Sequence, residues 1–293
     1  MRTIVAALCA ALLLAATPAA AQEAADDAPK APLVRAGGRR VSGSGGYKGR
    51  SGFVQVGREW RVRAGYSDYT FDSTTATTRT GSLKVAYQGE QLSLGANASV
   101  TPLSENYRGA SWGLDAGWAF LPEDPDSLVE EWELNGWWTQ TRHHQTVPGN
   151  VIRPRRDLDI HQHDLGVGAS ITALKATLSG DFYFSNYFFD EFDLLLAASR
   201  NQPRLGAAVA LVNGFPRNGG SARLDLELVS WITPFVAMSA TSYKLAGNPP
   251  SRSVSAGANL KAGPVGLEVS YERVRQSGID DTKYLTLGGS VRF

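Results

Sequence analysis

The four histidines of this chain are the residues whose types and spacing could most directly do chemistry. They are His143, His144, His161 and His163, and Arg142, Arg153, Arg155 and Arg156 lie among them. Neutral imidazoles ligate zinc, copper or nickel, and imidazole changes charge between about pH 5 and 8. The cluster could therefore hold a metal ion or sense protons. A solvated rim is the alternative, because adjacent residues of a strand point to opposite faces and the arginines repel cations. The arginines could equally bind phosphate groups.

Acidic residues near the histidines raise the question of catalysis. Asp157, Asp159 and Asp164 lie close to them in sequence, so a rim Asp/His site of a hydrolytic enzyme is a conceivable arrangement. No catalytic signature surrounds these residues, and we expect that the chain is not an enzyme. We also expect no cofactor, because the Gly-rich stretches 43–46 and 219–220 lack the strand–helix context of a phosphate loop.

The N-terminal residues predict export. Met1 and Arg2 precede an apolar run over residues 4–16, and Ala19 to Ala21 stand before Gln22. The run is too short for a bilayer span, which needs ~20 residues, so residues 1–21 are predicted to be a cleaved signal peptide. The one cysteine of the chain lies inside it, which leaves the mature part without a thiolate or a disulfide. Residues 22–57 are rich in Ala, Pro, Gly, Ser and charge, and we predict a flexible periplasmic segment there.

Charge and aromatic content narrow the class of the mature chain. The predicted signal contains one of the 29 basic residues, so its removal leaves 28 basic and 28 acidic residues and a net charge of zero. Nucleic acid is therefore not an expected partner, since it requires a basic face. Seven Trp, ten Tyr, eleven Phe and 31 Gly occur without a further long apolar run. Such a chain is either an extracellular β-sandwich or a membrane barrel.

Hydrophobic periodicity favours the barrel. From residue 58 to the end, apolar and polar residues alternate, as in segments 92–100, 112–120 and 285–293, and side chains of a strand alternate between its two faces. Short connections take turns with longer ones, among them 142–157, which is typical of bacterial barrels. We predict an antiparallel transmembrane β-barrel over residues 58–293. An even strand number follows, fourteen if 190–199 and 204–212 are separate strands and twelve otherwise.

The last ten residues resemble the C-terminal strand of bacterial outer-membrane proteins. They place apolar residues at every second position before a terminal aromatic ring. The resemblance implies a location in the bacterial outer membrane, contact with its lipid and lipopolysaccharide, and recognition of this strand by the barrel-assembly machinery. The residues that would carry that signal are Tyr284, Leu287, Val291 and Phe293. Val291 departs from the pattern, since an aromatic residue is common there, and the resemblance is to the class only.

The polar face of the predicted strands would line the lumen. Its acidic residues would be Asp115, Glu131, Glu133, Asp164, Asp181, Asp225, Glu227, Glu268 and Glu272, and its basic residues Arg61, Arg63, Lys84, Lys175, Arg223 and Arg292. A wet interior ringed by charge predicts a channel for passive passage of small hydrophilic solutes, with a mild cation preference from the excess of acids. The alternative is a non-conducting structural or scaffold barrel, in which these charges pair and hold the wall together.

Overall fold

Fourteen antiparallel strands form this protein in a computed structural model. The structure describes residues 33–70, 77–104, 107–122, 124, 127–147, 156–188, 215–244 and 249–293, all within a compact unit that spans 32–293. The strands are β1 Val34–Gly43, β2 Lys48–Gly57, β3 Trp60–Thr70, β4 Thr78–Gln88, β5 Leu92–Ser104, β6 Tyr107–Phe120, β7 Val129–Val147, β8 Arg156–Ala173, β9 Ala176–Phe188, β10 Pro216–Leu226, β11 Ile232–Tyr243, β12 Ser251–Ala262, β13 Val265–Gln276 and β14 Ile279–Arg292. A 3₁₀ turn, Ser44–Gly46, connects β1 to β2.

The strands close into a barrel because β1 pairs with both β2 and β14. Two backbone hydrogen bonds fasten the seam, from the Phe293 N–H to the Val34 carbonyl (2.8 Å) and from the Val34 N–H to the Phe293 carbonyl (3.3 Å). Closure leaves none of the fourteen described strands with an unpaired edge, which a wall inside a bilayer requires.

The longest connections lie at one rim. At the rim that holds residues 34 and 293 the connections have two to eight residues: 58–59, 89–91, 121–128, 174–175, 227–231 and 263–264; at the opposite rim they range from two residues, at 105–106 and 277–278, to the stretch 189–215. In bacterial barrels such short turns are periplasmic, so the opposite rim is extracellular. No helix among the described residues is long and apolar enough to span a membrane.

Alternation along each strand sends apolar side chains outward. Leu114, Val167 and Met238 have exposed fractions of 51%, 60% and 64%, although each stands in the middle of its strand. In water such a belt would be unstable, whereas in a bilayer it contacts hydrocarbon. The sequence-based prediction of an antiparallel transmembrane barrel with twelve to fourteen strands is confirmed.

The prediction of a flexible segment over 22–57 was wrong for residues 34–57, which form β1 and β2. These strands lack apolar alternation because glycines fill many positions and arginines stand on both faces. Closure nevertheless pairs each of them on both sides, so ladder hydrogen bonds replace hydrophobic burial as their main support. Residues 22–32, like the predicted signal peptide over 1–21, lie outside the described part of the chain.

Aromatic side chains cover the lumen-facing glycines of this region. A Cβ atom on Gly37 would lie 2.8 Å from Cε1 of Phe53, and one on Gly43 would lie 2.7 Å from Cε1 of Tyr284. Cross-strand rings of this kind stabilise glycine-rich strands, which is how a segment of such low hydrophobicity takes its place in the wall.

The strand number is fourteen, but not by the predicted route. The sequence-based count placed strands at 190–199 and 204–212, whereas β9 pairs directly with β10 and leaves no place between them in the wall. Those residues lie outside the described part of the chain. The missing pair is supplied by β1 and β2.

The predicted loop 142–157 is largely strand. β7 continues to Val147 and β8 begins at Arg156, which makes them the longest described strands, with 19 and 18 residues. About 9–11 residues suffice to cross a bilayer, so their paired ends extend beyond the extracellular membrane boundary. Residues 148–155, with Arg153 and Arg155, lie outside the described part.

Candidate functional site: the lumen wall

Two of the cavities in the lumen share one ion pair. One, of about 570 Å³, is lined by residues of β1–β3 and β11–β14 toward the periplasmic rim. The other, of about 700 Å³, is lined by β1, β3, β9–β14 and the β1–β2 connection toward the extracellular rim. Arg39 and Glu268 line both, and Nη1 of Arg39 lies 4.0 Å from Oε1 of Glu268. This ion pair therefore marks the junction between the two cavities.

The periplasmic cavity contains two arginines against one aromatic ring. Cζ of Arg63 lies 3.9 Å from the ring centroid of Phe53, and Cζ of Arg35 lies 5.9 Å from it. Arg35 also donates from Nη2 to Oγ of Ser290 at 3.1 Å. Among the described residues neither guanidinium forms a salt bridge with a carboxylate, so cation–π contact stabilises both charges instead.

Tyrosines dominate the extracellular cavity. Five of them line it, namely Tyr47, Tyr69, Tyr183, Tyr243 and Tyr284. The rings of Tyr47 and Tyr284 meet edge to face at 5.4 Å. Such amphipathic rings offer solutes both a hydrogen-bonding hydroxyl and an apolar surface.

An arginine from β10 also reaches this cavity. The guanidinium of Arg223 stacks on Phe235 at 3.8 Å and donates two hydrogen bonds to the Asp225 carboxylate at 2.7 and 2.6 Å. Its charge is therefore compensated on its own strand.

Strand register places most of the predicted lumen residues on the inner face. They are Arg61, Arg63, Lys84, Asp115, Glu131, Glu133, Asp164, Asp181, Arg223, Asp225, Glu268, Glu272 and Arg292. Two others were placed wrongly. Lys175 stands in the two-residue turn 174–175 with φ of 64°, and Glu227 follows the end of β10. Both belong to the periplasmic rim, because the strands end before them.

Three basic residues of the inner wall were missed. Arg35 and Arg39 stand on β1, and Lys261 stands on β12 opposite Gly266. With them, the described side chains that regular strand register turns inward, leaving out residues at bulges, number eight basic and eight acidic. The excess of acids on which the predicted cation preference rested is therefore absent. An alternation of arginine with glycine at 35, 37 and 39 was the signal that could have found β1.

The two signs of charge occupy different parts of the wall. Six of the eight basic residues stand on β14, β1, β3 and β4, and five of the eight acids stand on β6–β9. Local contacts hold several in place: Nζ of Lys84 lies 2.9 Å from Oδ1 of Asp115, and Ser185 donates to Asp164 at 2.5 Å. Opposed walls of this kind create a field across the lumen.

The histidines do not converge on one site. Register turns His143 into the lumen, whereas His144, His161 and His163 face outward. The predicted four-histidine metal site is therefore wrong, because alternation separates the side chains of adjacent residues. No group of three or more His, Cys, Asp or Glu side chains in the described ranges could hold a metal ion.

His143 is a buried structural group instead. Its Nδ1 lies 2.8 Å from the Tyr107 hydroxyl, its Nε2 lies 3.0 Å from Oε1 of Gln162, and only 9% of the residue is exposed. Gln162 donates onward to Asp164 at 2.8 Å. This chain of hydrogen bonds links β6, β7 and β8 across the inner wall.

An Asp/His pair does exist on the outer face. Nδ1 of His144 lies 3.1 Å from Oδ1 of Asp159, and Arg142 approaches the same oxygen at 3.4 Å. The arrangement is an exposed ion-pair cluster on the outside of the protruding hairpin. The Ser185 hydroxyl lies on the inner face of the wall, where it donates to Asp164.

The residues predicted to form the assembly signal divide between the two faces. Leu287 and Val291 face outward, opposite Val269 and Val265 of β13, and Phe293 is 75% exposed. Tyr284 faces the lumen against Tyr47, because its even number places it on the other side of β14. A partner that reads the outer face of this strand therefore meets the other three residues.

Comparisons with known proteins give a fold. No protein-family profile matches the sequence, and no curated protein matches it. Among solved structures, CdiB from Acinetobacter baumannii matches with 9% identity and a TM-score of 0.51 over 91% of this chain; the chain spans 61% of CdiB. The Pseudomonas putida toluene transporter TodX matches with 11% identity and a TM-score of 0.48, covering 90% of each chain. OmpT, an outer membrane protein of Vibrio cholerae, matches with 10% identity and a TM-score of 0.48, covering 91% of this chain and 99% of its own.

Identities this low carry information about fold alone. The closed wall of fourteen strands and the exposed apolar belt around it supply the rest. The chain is a transmembrane β-barrel with the fold of bacterial outer-membrane proteins.

Proposed function

We propose that the barrel is a channel for passive passage of small hydrophilic solutes. The observation that carries the proposal is the pair of lumen cavities that meet at Arg39 and Glu268. Side chains can fill the interior of an eight-stranded barrel. A barrel of fourteen strands is wider, so its side chains leave open space in the lumen. Polar interiors of wide barrels are wet.

The junction would act as the selective point of the path. The side chains of Arg39 and Glu268 are 54% and 35% exposed, so water reaches both charges. At 4.0 Å and in contact with water the pair attracts only weakly, and a passing ion competes for either partner. Since the inner wall carries equal numbers of acids and bases, we expect weak selectivity whose sign depends on this pair.

Single-channel recording in a planar bilayer tests the proposal. The refolded mature protein should give discrete conductance steps, and a salt gradient should give a small reversal potential. Arg39→Gln should shift that potential toward cation preference and Glu268→Gln toward anion preference. Lys175→Gln, in the periplasmic turn, is the matched control and should shift it much less.

A non-conducting structural barrel is the second candidate. It is favoured by the wall charges that already have partners, such as Lys84 with Asp115 and Arg223 with Asp225. A folded barrel with heat-dependent gel mobility but no conductance steps would support this candidate and refute the channel.

A further inference from the structure

A belt of basic side chains lies on the outer surface near the extracellular membrane boundary. We call it the outer basic arc, and it consists of Arg40, Lys48, Arg50, Arg79, Arg252, Arg273, Arg275 and Lys283. These residues face outward on β12, β13, β14, β1, β2 and β4, which adjoin one another around the closed seam apart from the intervening β3. Within the described part of the chain, two acids form ion pairs with arc residues: Asp68 with Arg50, and Asp281 with Arg273 and Arg275. The eight basic side chains of the arc therefore outnumber the acids that pair with them.

Register fixes the height of the arc. Arg273 stands opposite Val254, and the next outward residue of β13 toward the periplasm is Tyr271, opposite Leu285. Val254 and Leu285 are exposed members of the apolar belt. The arc therefore begins where the belt ends, at the level of the lipid headgroups. Arg40, opposite Leu287, reaches the same level because a long aliphatic stem lets its charged end extend toward water.

Like charges oppose each other directly at two places in the arc. Arg40 pairs with Arg50 across β1 and β2, and Arg252 pairs with Arg275 across β12 and β13. Side chains at such positions lie close together, and like charges there are destabilising. An anion held between them would turn each repulsive pair into a binding site.

The two acids compensate only part of the arc. Both oxygens of Asp68 accept hydrogen bonds from Arg50 at 3.0 Å, and Asp281 pairs with Arg273 and, at 3.5 Å, with Arg275. In the described part of the chain, Arg40, Arg79 and Arg252 have no carboxylate within 4.0 Å, and all three are exposed. Guanidinium groups bind phosphate through two parallel hydrogen bonds.

We propose that the outer basic arc binds the phosphate groups of glycolipid headgroups in the outer leaflet. The proposal is independent of whether the lumen conducts, since the arc and the lumen lie on opposite faces of the wall. Its ligand is a phosphorylated sugar headgroup attached to acyl chains: the phosphates meet the arginines while the chains lie along the apolar belt below.

Binding of bisphosphorylated lipid A to the refolded barrel in detergent micelles tests this assignment. Native mass spectrometry would count the lipid molecules retained per barrel over a titration. The triple variant Arg40→Gln, Arg79→Gln, Arg252→Gln should bind at least roughly tenfold more weakly, because three charge-assisted contacts are lost. The matched control is Arg108→Gln, Arg142→Gln on the outward face of β6 and β7, which should bind as the parent does.

Three further measurements make the outcome decisive. Dephosphorylated lipid A should bind the parent and the triple variant with the same affinity. Inorganic phosphate, at the same concentration as lipid A, should not displace lipid A from the parent. Heat-dependent gel mobility should be the same for parent and variants, which shows that each barrel is folded. Equal lipid A affinity in the parent and triple variant would overturn the proposal, and so would full competition by inorganic phosphate, which would identify a soluble-phosphate site instead.

Discussion

Replacing Gly166 by alanine tests whether the wall depends on aromatic rings that cover lumen-facing glycines. Gly166 on β8 stands directly opposite Trp137 on β7, and the indole ring lies over it. A Cβ atom at position 166 would be 2.6 Å from Cη2 of Trp137 and closer still to two other ring atoms. Alanine cannot be accommodated there unless the indole moves.

The size of that movement gives the expected cost. Carbon atoms in contact are about 3.5–4.0 Å apart, so the ring must shift by roughly 1 Å or more and give up its contact with the β8 backbone. Overpacking of this kind costs about 1–3 kcal/mol. A loss of about 2 kcal/mol would lower the folding equilibrium constant roughly thirtyfold.

Equilibrium unfolding by urea in phospholipid vesicles measures this loss. Heat-dependent gel mobility should report the folded fraction. Unlike tryptophan fluorescence, this readout does not change when Trp137 itself is replaced. Gly81→Ala is the matched control, because a Cβ atom there has no neighbour within 4 Å. It should change the free energy of unfolding by less than about 0.5 kcal/mol.

A double-mutant cycle separates the collision from a general effect of alanine. In a Trp137→Leu background, Gly166→Ala should cost little, because a smaller, flexible side chain can move aside. If Gly166→Ala leaves stability unchanged in the parent, or if it costs as much without the indole as with it, the reasoning about the aromatic cover is refuted.

Three other predictions follow from named contacts. His143→Ala should lower the free energy of unfolding by about 1–3 kcal/mol, because it leaves the buried Tyr107 and Gln162 groups without their partner. The control His144→Ala should lower it by less than about 0.5 kcal/mol. Equal losses for the two variants in urea titrations would contradict the assignment of His143 to the inner wall. Glu268→Gln combined with Glu272→Gln should move the reversal potential toward anion preference, and an unaltered potential would show that these carboxylates do not line the conducting path. Phe53→Leu should destabilise the barrel by about 0.5–2 kcal/mol, because Arg35 and Arg63 lose the ring they both face; the same substitution in an Arg63→Gln background should cost less.

Alternation of apolar and polar residues was sufficient to predict the class of fold. Segments such as 92–100 and 285–293 carry it without interruption, because each outward residue must contact hydrocarbon and each inward one contacts water. The same rule placed Lys84, Asp115 and Glu268 on the inner face from sequence alone. It failed at Lys175 and Glu227, since parity says nothing about where a strand ends.

The rule also failed where glycine and arginine replace apolar residues. β1 and β2 resemble a linker when considered as isolated segments, and they become strands because each receives a hydrogen-bonded neighbour on both sides. The aromatic rings that cover their glycines come from other positions, as Tyr284 does for Gly43. Local sequence does not contain that information.

Closure of the ring determined which distant residues meet. Arg39 and Glu268 are far apart in the chain, and they meet because β1 pairs with β14 and β14 with β13. The outer basic arc forms across the same seam, from residues near both ends of the barrel domain. The periodicity of single strands therefore determined which face each side chain takes. The register between strands and the closure of the wall determined which side chains lie next to one another, because the whole ring of backbone hydrogen bonds sets the pairing of the strands.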